Sequence, residues 1–215
     1  MTKPGGSDKV PRKVPSRVSG RASEKALDKE PGGIGSRRLY TGRVISLDLD
    51  TVRFPNGTVG EIEIIRHSGA SAIIPFLTEP AGPEPEVLLI RQYRYAAAGY
   101  VYEIPAGRLD AGELPEACAA RELTEETGYV AARLTALTTI FTTPGFTDEQ
   151  IHLFSATGLT KAQRSLELDE FLDVEPMRFS RAVRMIELGE IRDGKTIAGL
   201  LYAATFCLAG NPVLR

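Results

Sequence analysis

Cysteine is scarce in this 215-residue chain: Cys118 and Cys207 stand 89 positions apart, outside any Cys-x-x-Cys or Cys/His cluster. That spacing excludes a disulfide scaffold and a thiolate zinc site, and it fits a reducing compartment. Long apolar runs are also missing. The most apolar stretch, Ile197 to Ala209, falls short of the ~20 residues a bilayer span requires and reads as a buried helix. No stretch near the N-terminus has the pattern of a signal peptide, so a soluble, cytoplasmic protein without a membrane partner is expected. Internal repeats are absent. A large net charge is lacking as well, since 26 Lys+Arg against 28 Asp+Glu leave −2, which excludes a global polycation or polyanion. The charges are unevenly spread, however. Residues 1–38 carry ten basic and four acidic side chains, net +6, and residues 39–215 carry 16 against 24, net −8.

What is present is an ordinary globular balance, 42% hydrophobic and 25% charged, which excludes disorder along the whole chain. Residues 1–36 hold Gly5-Gly6, four prolines and Gly32-Gly33 without apolar periodicity. Such a segment cannot bury enough surface to offset its ordering entropy and is expected to be a disordered basic tail. Alternating residues then mark strands over 44–54 and 61–64, with Pro55-Asn56-Gly57 as the turn between them. This gives an antiparallel strand region over 37–68. From residue 69 onward the pattern predicts strands at 70–77, 86–93, 100–104, 134–141, 150–156 and 171–177. Helices are predicted from Pro115 to a stop at Gly128, from a Ser180 cap to about Leu188, and over Thr196–Leu208. Strands and helices in that order indicate an α/β domain with mixed sheets over 69–215 rather than a parallel βαβ array.

The chemistry concentrates between Gly107 and Tyr129, GRLDAGELPEACAARELTEETGY. On a helix from Pro115, Glu122, Glu125 and Glu126 share one face, because residues three and four apart are neighbours there. Like charges so placed weaken a helix by a few tenths of a kcal/mol per pair. A hard divalent cation would offset that, since Mg²⁺ prefers carboxylate oxygens. Three glutamates alone would read as a solvated acidic face, but the spacing decides otherwise. Gly107, Glu113, Arg121, Glu122, Leu123, Glu125, Glu126 and Gly128 reproduce G-x5-E-x7-R-E-U-x-E-E-x-G-U, with U apolar; Tyr129 is the only departure, where an aliphatic residue is usual. Seven identities at usages near 7% arise by chance at about 10⁻⁸ per window.

The chain therefore resembles the Nudix hydrolases, and residues 91–94, 103–107 and the string Thr143-Pro144-Gly145-Phe146-Thr147-Asp148-Glu149 resemble their ADP-ribose pyrophosphatase branch. The resemblance implies an α/β/α sandwich with mixed β-sheets and metal-dependent hydrolysis of a nucleoside diphosphate sugar, foremost ADP-ribose to AMP and ribose 5-phosphate. GDP-mannose or a broad range of ADP-sugars is the alternative. By the same resemblance, Glu122, Glu126 and the Ala106 carbonyl hold the metal, Mg²⁺ with Mn²⁺ as the substitute. Glu125 contributes directly or through water, and Glu113 and Arg121 orient the cluster. Arg94 would hold a phosphate or the terminal ribose by its planar fork. Arg108, Thr143, Pro144, Gly145 and Glu149 complete the expected substrate contacts. The general base is expected in the acidic loop 166–170, as Glu170 or else Glu167. Members of the branch commonly form homodimers through their N-terminal strands, so region 37–68 is the expected dimerisation element. Cys118 and His152 are read as packing residues, and His67 as near the ligand without a catalytic role. A non-catalytic ADP-ribose sensor with a nucleic-acid-binding tail is a third reading. The intact glutamate set and the lack of any base-reading module argue against it.

Overall fold

The computed structural model describes residues 30–166 and 171–208. The first three strands, β1 (Gly32–Thr41), β2 (Ser46–Arg53) and β3 (Val59–Arg66), form an antiparallel sheet of their own in the order β1-β2-β3. Their second turn is the one the sequence marks. Phe54 N–H donates to Thr58 O at 2.9 Å, Asn56 Oδ1 accepts from the Thr58 amide at 3.0 Å, and Gly57 takes φ 85°. β1 begins at Gly32 and is exposed along its whole length. The last residues of the expected tail, Gly32–Ser36, are thus strand, because the ladder to β2 supplies hydrogen bonds that outweigh weak glycine propensity. Residues 1–29 of that tail lie outside the described residues.

The remaining strands make two sheets. β4 (Ala70–Pro75), β7 (Ala106–Arg108), β8 (Tyr129–Phe141) and β9 (Gln150–Lys161) order as β7-β4-β9-β8, with β4 parallel to β9 and the other pairs antiparallel. β5 (Glu86–Arg94), β6 (Gly99–Glu103) and β10 (Leu172–Arg178) form an antiparallel sheet in the order β10-β5-β6. Alternation along β4 sends successive side chains to opposite faces. Ile73 packs with Ala119 and Leu123 of α1 (Pro115–Thr127) and with Phe154 and Ala156 of β9. Ala72 and Ile74 join Val87 and Leu89 of β5, Phe179, Ala182 and Met185 of α2 (Phe179–Glu187), and Leu200 of α3 (Gly194–Tyr202). Each fully buried large side chain contributes roughly 1.5–3 kcal/mol. Helices thus flank the mixed sheet on both sides, giving the expected mixed α/β sandwich.

Helix boundaries follow local chemistry. Pro115 opens α1 and Gly128, at φ 73°, closes it with its N–H on Thr124 O at 2.9 Å. α2 starts at Phe179 rather than after a Ser180 cap, because the buried Phe179 ring stacks on Phe76 at 5.8 Å and its N–H bonds Pro85 O. α3 starts at Gly194, two residues before the expected Thr196, because Asp193 is the cap: its Oδ2 accepts from Thr196 N at 3.0 Å. After Tyr202 the backbone widens into a π turn over Ala203–Cys207 instead of continuing as regular helix. Among the described residues, no helix is long and apolar enough to cross a membrane.

Candidate active site

The acidic face of α1 is organised by one cation. Arg121 donates from Nε and Nη2 to the two oxygens of Glu113, both at 2.9 Å, and from Nη1 to Glu122 Oε1 at 2.6 Å and Glu125 Oε2 at 3.1 Å. Nη2 also reaches Arg108 O at 3.1 Å, which ties the helix to β7. The Arg121 fork, helped by the Asp110 backbone N–H, pulls the Glu113 carboxyl down to about 2, and Glu113 foremost raises the Arg121 guanidinium. Burial pushes the Cys118 thiol up to about 11, so it packs beneath Gly107 and Arg108 as an inert group, as expected.

The helix meets the strand at Ala106 and Gly107. Ala106 N–H donates to Glu126 Oε2 at 2.9 Å. A Cβ on Gly107 would lie 1.7 Å from Glu122 Oε1, so only glycine admits the Glu122 carboxylate there. Glu122 and Glu126 are 7% and 2% exposed. The corner therefore holds Glu113, Glu122 and Glu125 on Arg121, with Glu126 beside them on the Ala106 amide. Excess buried negative charge and oxygen-only donors fit a hard divalent cation. Among the described residues, no three acidic, histidine or cysteine side chains are already arranged as a metal cage. Arg121 draws Glu122 and Glu125, while the Ala106 amide draws Glu126.

Ala106 and Gly107 also line a cavity of about 860 Å³. Arg94, Lys195 and Arg108 supply its cations, and His67, Thr142, Thr143, Glu149 and Asp193 its other polar groups. Arg94 is held bidentately by buried Glu103, from Nε at 2.7 Å and Nη2 at 2.9 Å. Burial alone would raise the Glu103 carboxyl, but Arg94 and Lys195 outweigh it and hold the group below the ordinary carboxylate range. Arg108 Nη1 donates to Arg43 O at 3.1 Å, and Val44 lines the cavity, so the β1–β2 connection closes one side. The 143–149 loop is clamped to the N-terminal sheet. Ile65 N–H donates to Phe146 O at 2.8 Å, Asp148 N–H to Ile65 O at 3.2 Å, and Asp148 Oδ1 accepts from His67 N at 2.9 Å. Glu149 accepts from Thr142 Oγ1 at 2.9 Å, with His67 Nδ1 3.4 Å away.

Of the residues expected from sequence, the structure brings Ala106, Arg94, Arg108, Thr143 and Glu149 to the cavity wall, with the α1 glutamates behind Ala106 and Gly107. Pro144 and Gly145 are exposed and stand off that wall. Thr143 O accepts from the Phe146 and Thr147 amides, so Pro144 and Gly145 form the tip of the turn. Glu167 and Glu170 lie outside the described residues. His152 bonds Thr139 through Nδ1 at 2.9 Å, a cross-strand packing role. Sequence reasoning missed Lys195, Asp193 and Glu103 as site residues. Asp193 had a signal, since an Asp three residues before Thr196 is a capping pattern. Glu103 opens the string 103–107 but was given no role there, and Lys195, 92 residues away from it, had no signal.

Comparison with known proteins agrees with this geometry. The NUDIX domain family matches residues 67–200, and the chain belongs to that family. Over 171 residues it is 37% identical to the ADP-ribose pyrophosphatase of Bacillus subtilis (strain 168), spanning 79% of this chain and 90% of that protein. It is 39% identical over 171 residues to the methanol dehydrogenase activator of Bacillus methanolicus, with the same coverage of 79% and 90%. The crystal structure of an ADP compounds hydrolase shares the fold at a TM-score of 0.68 and 20% identity, covering 81% of this chain and 92% of that chain.

Proposed function

We propose that the protein hydrolyses the diphosphate bridge of a nucleoside diphosphate sugar, ADP-ribose foremost, giving AMP and ribose 5-phosphate. The observation that carries this reading is the junction at Ala106–Gly107, where the Glu122 and Glu126 carboxylates sit behind two residues that line a cavity bearing Arg94, Lys195 and Arg108. The same substrate class is supported by the likeness to an ADP-ribose pyrophosphatase over most of both chains.

Glu122, Glu126, Glu125 and the Ala106 carbonyl would hold divalent cations, Mg²⁺ or Mn²⁺, once Glu122 and Glu125 turn from Arg121. Such a cation, when bound, neutralises diphosphate charge and acidifies water. Glu113 keeps Arg121 in place, so the carboxylates that turn leave an oriented guanidinium behind. Arg94 and Arg108 hold the phosphates, Thr143 and Glu149 accept or donate to sugar hydroxyls, and Pro144-Gly145 shape the turn that presents them. Glu170, or else Glu167, takes the proton as water attacks phosphorus and the bridging P–O bond breaks. The enzyme acts in the cytoplasm as a homodimer, with the fully exposed β1 as the element that meets the second copy.

The deciding experiment incubates purified protein and Mg²⁺ with a panel of nucleoside diphosphate sugars and follows the phosphomonoesters released. AMP and ribose 5-phosphate from ADP-ribose are expected. Comparable kcat/KM for GDP- and ADP-sugars would widen the substrate class. No turnover of any member, with metal shown to be bound, refutes the reading.

A further inference from the structure

Glu103 ends β6 at 2% exposure, yet it is ringed by charge. Oε1 accepts from Arg94 Nε at 2.7 Å, Oε2 accepts from Arg94 Nη2 at 2.9 Å, and Lys195 Nζ bonds the same Oε2. Lys195 also reaches Asp193 Oδ2 at 3.1 Å, and that oxygen caps α3 through Thr196 N at 3.0 Å. Thr196 Oγ1 in turn accepts from Ile104 N at 2.8 Å, fixing the chain just after Glu103. An ion pair at this depth adds little net stability over a well-packed apolar group, because desolvation cancels most of the attraction. Its geometry points to another use. Both cations line the cavity beside Ala106 and Gly107. Glu103 grips only one edge of the Arg94 fork; Nη1 takes no protein partner among the described residues, and the side chain is 43% exposed.

We propose that Glu103 is a positioning residue: it holds Arg94 and Lys195 as a fixed pair of cations on the cavity wall, set to receive the diphosphate of the substrate. The identity of that anion rests on the hydrolase reading above. A guanidinium gripped along one edge presents its remaining donors in a fixed plane, so less rotamer entropy is lost when phosphate oxygens arrive. Lys195 adds a point charge that Arg94 alone would not supply. Its side chain, 12% exposed, is tethered at both Glu103 and Asp193, which keeps the ammonium at the wall.

The test is Glu103→Gln, which keeps size but replaces one acceptor oxygen and the charge with an NH2 donor, so it cannot hold two cations. The KM for ADP-ribose should rise about tenfold while kcat changes less, the pattern of lost ground-state binding. The Kd for inorganic pyrophosphate, measured by calorimetry without divalent cation, should weaken by a similar factor. In an Arg94→Met background, Glu103→Gln should add less than about threefold, because one of its two partners is already gone and only Lys195 is left to position. A lowered melting temperature with unchanged KM and pyrophosphate Kd would overturn the proposal and make the cluster structural. An equal effect in both backgrounds would overturn it too. Should Glu103→Gln not fold, Lys195→Met serves: a raised KM at near-normal melting supports the role, and an unchanged KM defeats it. Wild-type protein that binds pyrophosphate but cleaves no nucleotide sugar would remove the hydrolase reading and leave the positioning role. Wild-type protein that binds no pyrophosphate would remove the positioning role.

Discussion

Gly107 has only a hydrogen where the Glu122 carboxylate sits, and an added Cβ would fall 1.7 Å from Oε1. The displaced atoms are the end of a flexible side chain, so Gly107→Ala should fold and melt within a few degrees of wild type. Displacing Glu122 by an ångström or more should nonetheless cost about 10²-fold in kcat; unaltered turnover would show that Glu122 has no part in the reaction. Glu122→Gln and Glu126→Gln each remove one charge at constant size. We expect kcat to fall by orders of magnitude, with metal-free melting held or slightly raised as like-charge repulsion along α1 is relieved. Large melting losses with near-normal turnover would mean the acidic face is structural. Glu113 contributes a pH dependence of its own. Its folded value of about 2 lies below the ordinary 4.5, so its contribution to stability is full above about 4.5 and disappears as the pH falls toward 2. Thermal melts of metal-free wild type and Glu113→Gln should therefore differ most above pH 4.5 and converge in acid. Parallel curves throughout would contradict the Arg121 pairing.

At the scale of elements, α3 depends on one side chain outside it. Asp193 Oδ2 accepts from Thr196 N at 3.0 Å and Thr196 Oγ1 at 2.6 Å, and Thr196 holds Ile104. Asp193→Ala should lower unfolding stability by about 0.5–2 kcal/mol, read as a shift in the urea midpoint at constant slope. Coincident curves would show that the cap contributes nothing. α1 was legible because its signals are local: Pro115 at the start, Gly128 at the stop, and buried Ala119 and Leu123 on the face away from Glu125. The start of α2 was not, because Phe179 is placed by Phe76 and Pro85, about a hundred residues upstream. β1 was read too short for the same kind of reason: its glycines pair only because β2 is there to receive them.

For the whole molecule, β1 stands exposed on an outer sheet, with Ile34, Leu39 and Tyr40 at 53%, 42% and 58%. An uncovered strand bearing large apolar groups invites a second chain. Light scattering should give twice the 23.3 kDa chain mass. Deleting residues 30–45 should yield monomers with a raised KM, since Val44 lines the cavity and Arg43 anchors Arg108. A monomeric full-length chain would remove the dimer reading.

The sequence by itself determined the helix that bears the proposed metal-binding carboxylates. Gly107, Glu113, Arg121, Glu122, Glu125 and Glu126 lie within twenty positions, and 3.6-residue periodicity is enough to gather the last four on one face. The turn at Pro55-Asn56-Gly57 and the stop at Gly128 were likewise local and came out as read. Only the tertiary structure decided what faces that helix. Arg94 reads as a free substrate-binding cation until Glu103 is seen gripping it, and Lys195 reads as nothing until α3 carries it across 92 residues to the same carboxylate. Local spacing is written in the chain by the geometry of one element. Contacts between distant elements are fixed by how their apolar faces pack, and no single segment encodes that.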